Sequence, residues 1–62
     1  MRTFLRINDK VLQLKDYTMK EGTVSPRGNT GVVVGVFNDD LVEVYMQDRM
    51  LLTLPSHYFK LE

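Results

Sequence analysis

Gly31-Val32-Val33-Val34-Gly35-Val36-Phe37, then Asn38-Asp39-Asp40, then Leu41-Val42-Glu43-Val44-Tyr45-Met46 is the stretch on which the fold turns. β-Branched residues pack well on a pleated surface, and the residues alternate with a period of two, so both runs read as strands. Strict alternation sends Val32, Val34 and Val36 to one face and Val33, Gly35 and Phe37 to the other. In the second run Val42, Val44 and Met46 share a face. The Asn-Asp-Asp between them is turn chemistry, because these side chains bond to nearby backbone and tolerate left-handed conformations. Gln47-Asp48-Arg49 forms the next turn and Met50 to Leu54 a third strand. Pro55 ends it, since proline gives no donor to a central ladder, and Phe59 to Leu61 closes the chain as a short last strand.

Upstream, Phe4, Leu5 and Ile7 begin an extended segment that Asn8-Asp9 interrupts. It resumes from Lys10 to Lys15, with Leu12 and Leu14 on one face. Asp16 to Thr30 holds Gly22, Pro26 and Gly28 among polar residues and reads as a long loop whose few apolar members are Tyr17, Met19 and Val24. The expected fold is all-β: one domain of five short strands, the long loop following the first. Curling into a small barrel removes the exposed edges of such a meander.

Sixty-two residues make one domain. A chain this short buries only about 60% of its unfolded surface, and self-association or docking on a partner would supplement its core. It has no cysteine and one histidine, so neither a disulfide framework nor a zinc constellation is expected. Eight basic residues balance eight acidic ones, which argues against a nonspecific grip on phosphates. No apolar run reaches the ~20 residues of a membrane span, and Arg6 interrupts anything like a signal-peptide core. The expectation is a cytoplasmic protein without cofactor or metal.

The tail Leu54-Pro55-Ser56-His57-Tyr58-Phe59-Lys60-Leu61 resembles the end of an SH3 domain, where a short helical (3-10) turn precedes the last strand. Leu14-Lys15-Asp16-Tyr17 resembles the latter part of the SH3 Ala-Leu-Tyr-Asp-Tyr motif. The resemblance implies an SH3-like barrel and an aromatic groove at Tyr17, Pro55 and Tyr58, which in SH3 domains receives a polyproline helix. Ser25-Pro26-Arg27-Gly28-Asn29-Thr30-Gly31-Val32-Val33-Val34 is similar to the KOW motif of ribosomal proteins and transcription elongation factors. That likeness implies a nucleic-acid-associated module acting with a transcription, translation or helicase assembly.

Catalysis has no constellation to rest on. His57 has only its sequence neighbours Ser56 and Tyr58, whereas a general base needs a nucleophile or acid converging on it. Gly28-Asn29-Thr30-Gly31 lacks the lysine and following helix of a phosphate loop; tight turn geometry explains its glycines. Asp39, Asp40 and Glu43 are too few for a calcium loop. The chain therefore reads as a non-catalytic protein–protein adaptor or accessory subunit, its partner contacting Tyr17, Met19, Lys20, Pro55 and Tyr58. Such aromatic and methionine residues are enriched at interface cores. The alternative sets Lys10, Lys15, Lys20 and Arg27 on phosphates with Tyr17 stacked on a base. A third course is a homodimer formed through an edge strand.

Overall fold

The computed structural model describes residues 5–38 and 40–62. Seven strands follow in order: β1 Lys10–Gln13, β2 Tyr17–Thr18, β3 Val24–Ser25, β4 Thr30–Asn38, β5 Leu41–Met46, β6 Leu51–Pro55 and β7 Phe59–Leu61, with a 3-10 turn at Ser56–Tyr58 before the last. Five of them form one antiparallel sheet in the order β6-β5-β4-β1-β7. Among the described residues no ladder joins β6 to β7, so the sheet is not closed by hydrogen bonding. Phe4 lies outside the described residues, and Leu5 and Ile7 are not in a strand; among the described residues the first strand starts at Lys10.

The expected long loop carries structure of its own. β2 and β3 pair as a small antiparallel ribbon, Tyr17 opposite Ser25 and Thr18 opposite Val24. A turn at its tip is closed by the Gly22 N–H donating to the Met19 carbonyl. Two strands of two residues each are too short for alternation to register, and their apolar content is low.

The core is Leu5, Val11, Val33, Val42, Val44, Met46, Leu52, Leu54 and Phe59. Val42, Val44 and Met46 point inward together, as their alternation requires. The preceding strand does not follow simple alternation. Val33 sits opposite Val44 and is fully buried, whereas Val34 and Val36 are exposed. The register shifts between Val33 and Gly35, placing Val34 as an extra residue, and again between Val36 and Asn38. One inserted residue reverses the side-chain phase of everything after it. Val36 thereby lies opposite Val42 rather than on the face of Val34. Phe37 and Tyr45 are both exposed.

The inward face of β1 also differs from expectation. Val11 and Gln13 are buried, while Leu12 is half-buried and Leu14 exposed. Gln13 is satisfied internally: its Nε2 donates to the carbonyls of Lys15 (2.8 Å) and Ser25 (2.9 Å), and its Oε1 accepts from Ser25 Oγ (2.9 Å). Both side chains are almost wholly buried. A buried polar group is tolerated when its bonds are all made, and this clamp ties the root of the β2–β3 ribbon to β1.

The turns form as their residues dictate. Asn38 Oδ1 accepts from the Asp40 N–H at 2.8 Å, and Asp39 lies outside the described residues. Gly28 has φ +88°, a left-handed turn position. Gly31 serves another purpose, since it lies within β4 where a Cβ would stand 2.8 Å from Met46 Sδ, the Tyr45 carbonyl oxygen and Val44 Cγ1. Among the described residues no helix is long and apolar enough to cross a membrane.

Candidate functional site

Tyr17 and Tyr58 come from opposite ends of the chain and meet because β1 binds the end of the 3-10 turn. The Leu14 N–H donates to the Tyr58 carbonyl at 2.6 Å, and β1 pairs with β7 immediately beyond, Gln13 opposite Phe59. The two rings then stand edge to face, centroids 6.4 Å apart and planes at 89°. That arrangement sets the positive edge of one ring on the negative face of the other, contributing about 1 kcal/mol beyond buried area. Lys15 Nζ sits 5.5 Å from the centroid of the Tyr58 ring, within range of an exposed cation–π contact of roughly 0.5–1 kcal/mol. His57 packs on the same ring at 5.2 Å, tilted by 38°.

Tyr17, Met19 and Tyr58 are each half-buried and pack against the core, so the loop neither stands free nor buries them completely. Pro55 is the half-buried last residue of β6, opposite Leu41, and leads directly into the 3-10 turn. Lys20 is exposed at the tip of the ribbon. The cation over the Tyr58 ring is Lys15, a lysine expected beside the aromatic patch but assigned to phosphates rather than to the partner-contacting set. The lysine's position follows from β1 continuing past Gln13 alongside Tyr58, a pairing invisible without register.

The four cations of the nucleic-acid reading lie on separate segments, of which the hydrogen bond between Asp16 and the Arg27 amide brings those of Lys15 and Arg27 side by side. Lys10 lies on the outer face of β1 opposite Val32, and Lys15 lies in the bend beyond the end of that strand. Lys20 stands at the ribbon tip and Arg27 in the turn before β4. An acidic side chain is interposed: Asp16 Oδ1 accepts the Arg27 N–H at 2.7 Å.

His57 is exposed and its ring contact is aromatic. The Ser56 N–H donates to the Asp40 carbonyl at 2.7 Å, tying the 3-10 turn to the β4–β5 turn. Among the described residues no three His, Asp or Glu side chains gather as metal ligands would. No protein-family model, no curated protein and no solved structure matches this chain.

Proposed function

We propose that this chain is an SH3-like small barrel that acts as a non-catalytic protein–protein interaction module. The fold part of the reading is supported by the β6-β5-β4-β1-β7 order, the 3-10 turn between Pro55 and β7, and the two irregularities that bend β4. The functional part rests on one observation: the half-buried Tyr17–Tyr58 pair capped by Lys15, fixed to the sheet by backbone bonds. Rigid aromatic rings held on a scaffold offer a partner large contact area at small entropic cost. Met19, Pro55 and Lys20 extend the surface along the ribbon and the turn. The Asp16 carboxylate on the Arg27 amide and the chain's balance of charge favour a protein partner over a nucleic acid, whose backbone rewards clustered positive charge.

The test is a 15N NMR titration with proteins captured from the native cell. Amide shifts at Lys15, Tyr17, Met19 and Tyr58 are expected, with affinity little changed between 50 and 300 mM salt (roughly, a range over which phosphate-driven binding collapses). Shifts confined to other surfaces reject this site, and steep salt dependence together with RNA binding returns the nucleic-acid reading.

A further inference from the structure

Open strand edges in this sheet differ in how they are guarded. Charge, shortness and bulges are what keep an exposed edge from recruiting another strand. β7 is three residues long, carries Lys60 and runs into Glu62. β4 beyond Val33 has only β5 beside it among the described residues, and two register shifts bend it there. β6, the other outermost strand, has none of these guards. Leu51-Leu52-Thr53-Leu54 is uncharged, and its pairing with β5 runs from Tyr45–Leu51 to Leu41–Pro55 without a shift. The phase of that ladder decides which groups are free. The Met46 N–H donates to the Met50 carbonyl at 2.7 Å, and antiparallel pairs alternate between bonded and unbonded. Val44–Leu52 and Val42–Leu54 are therefore the bonded pairs, and the N–H and C=O groups of Leu51 and Thr53 point away from β5. Among the described residues no backbone bond from outside the ladder reaches them. Both residues are exposed, Leu51 to 55%. Arg49, left-handed at φ +70°, bounds this edge on one side, and Pro55, which has no N–H, bounds it on the other.

We propose that β6 pairs with β6 of a second copy of this chain, antiparallel, about a twofold axis at Leu52. In that register Leu51 of each copy lies opposite Thr53 of the other, and every outward N–H of the two residues meets an outward C=O. A register centred on Thr53 would instead set Leu51 against Pro55, which has no donor to return. The shortness of the edge selects the occupant. Fixing one residue of a flexible peptide costs more than one backbone hydrogen bond returns net, so a ladder of two free residues does not order a loose strand. A second copy arrives with its strand already fixed, and that cost is not incurred again. The paired segment carries no charge, so no like charges meet across the axis. Tyr17 and Tyr58 take no part in the ladder, and a paired module offers their surface twice.

The test uses the full chain alone. An edge contact of this kind buries less than ~1,200 Å2 and belongs to the weak class, so sedimentation from about 10 μM to about 1 mM should show the mass rising from monomer toward dimer. Amide exchange followed by NMR gives the location. Leu51 and Thr53 should exchange several-fold more slowly at high concentration than at low, whereas Leu52 and Leu54, bonded to β5, are protected at both. Thr53→Lys sets like charges beside the axis and should weaken association roughly fivefold or more. Glu43 lies opposite Thr53 on β5 and gives the new lysine an opposite charge within the monomer, so this variant keeps the fold. Thr53→Val leaves an uncharged β-branched edge and should associate as the parent does. A chain that stays monomeric at the highest concentration, a dimer that Thr53→Lys leaves as tight as before, or protection that appears at Phe37 instead of Leu51 and Thr53 each overturns the proposal. Edge amides protected only when a captured partner is added would assign the edge to a foreign strand and overturn it too. Tyr58→Ala should leave self-association unchanged while removing partner binding, so this proposal and the aromatic site fail separately.

Discussion

Adding a single methyl at Gly31 should cost a large part of the fold's stability, while the same change at Gly35 should be harmless. Both glycines lie in β4, and a sequence-level argument treats them alike: alanine restricts the unfolded chain and should stabilise by about 0.4–1 kcal/mol. The structure separates them. At Gly31 the new Cβ would stand 2.8 Å from Met46 Sδ, the Tyr45 carbonyl oxygen and Val44 Cγ1. The carbonyl is backbone of the adjoining strand and Val44 is fully buried, so neither retreats without moving the sheet. At Gly35 the nearest atoms are Glu43 Oε1 at 3.2 Å and Glu43 Cβ at 3.4 Å, and the carboxylate end of a partly exposed glutamate swings aside. Overpacking a core costs about 1–3 kcal/mol, so Gly31→Ala loses about 2 kcal/mol net of the entropy gain, whereas Gly35→Ala falls between zero and a small gain. Urea unfolding reads this directly. With a slope near 1 kcal/mol per molar for a chain this small, the midpoint of Gly31→Ala should fall by about 2 M and that of Gly35→Ala should hold or rise. Equal midpoints for the two variants, or a Gly31→Ala protein as stable as the parent, would refute the close-approach argument.

Other perturbations follow from the same contacts. Val33→Ala should cost about 2 kcal/mol by chemical denaturation and Val34→Thr almost nothing, because Val33 is buried opposite Val44 while Val34 is exposed; equal costs would count against that placement. Ser25→Ala should cost about 1–3 kcal/mol, the penalty of leaving Gln13 Oε1 buried without its donor, and a neutral result would mean that water reaches the clamp. Arg49→Gly should raise the thermal midpoint by about 4–8 °C, since relief of a left-handed residue is worth roughly 1 kcal/mol; an unchanged midpoint would show that the turn carries no strain. Tyr58→Ala should abolish partner-induced shifts at Lys15 and Tyr17 while the dispersion of β5 resonances stays intact; retained shifts count against the aromatic site.

What could be read from the sequence was set by how local the deciding interactions are. Leu41–Met46 forms the strand that its alternation announces because no residue is inserted and both flanking turns carry the side chains they need. Thr30–Asn38 was legible as a strand but not in phase, since a bulge at Val34 is fixed by pairing with β5 rather than by neighbours in sequence. The orientation of β1 was misread for a related reason: Gln13 looks solvent-seeking until Ser25, twelve residues on, completes its hydrogen bonds. Tyr17 and Tyr58 stood out as aromatics, and the structure joins them. Lys15 over the Tyr58 ring required strand register that no single segment encodes.

The clamp between Gln13 and Ser25 places the chain's covalent continuity and its mechanical continuity in different locations. The ribbon is pinned at its root by these side chains and by Asp16 on the Arg27 amide, while Lys20 and Glu21 at the tip are exposed. β1, on the near side of that tip, is paired in the sheet with β4 and β7, both on the far side. Scission of the peptide bond after Lys20 would therefore leave two pieces still stitched across a sheet that both complete. Such pieces, made separately, should recombine, and new termini or an inserted tag would be tolerated there.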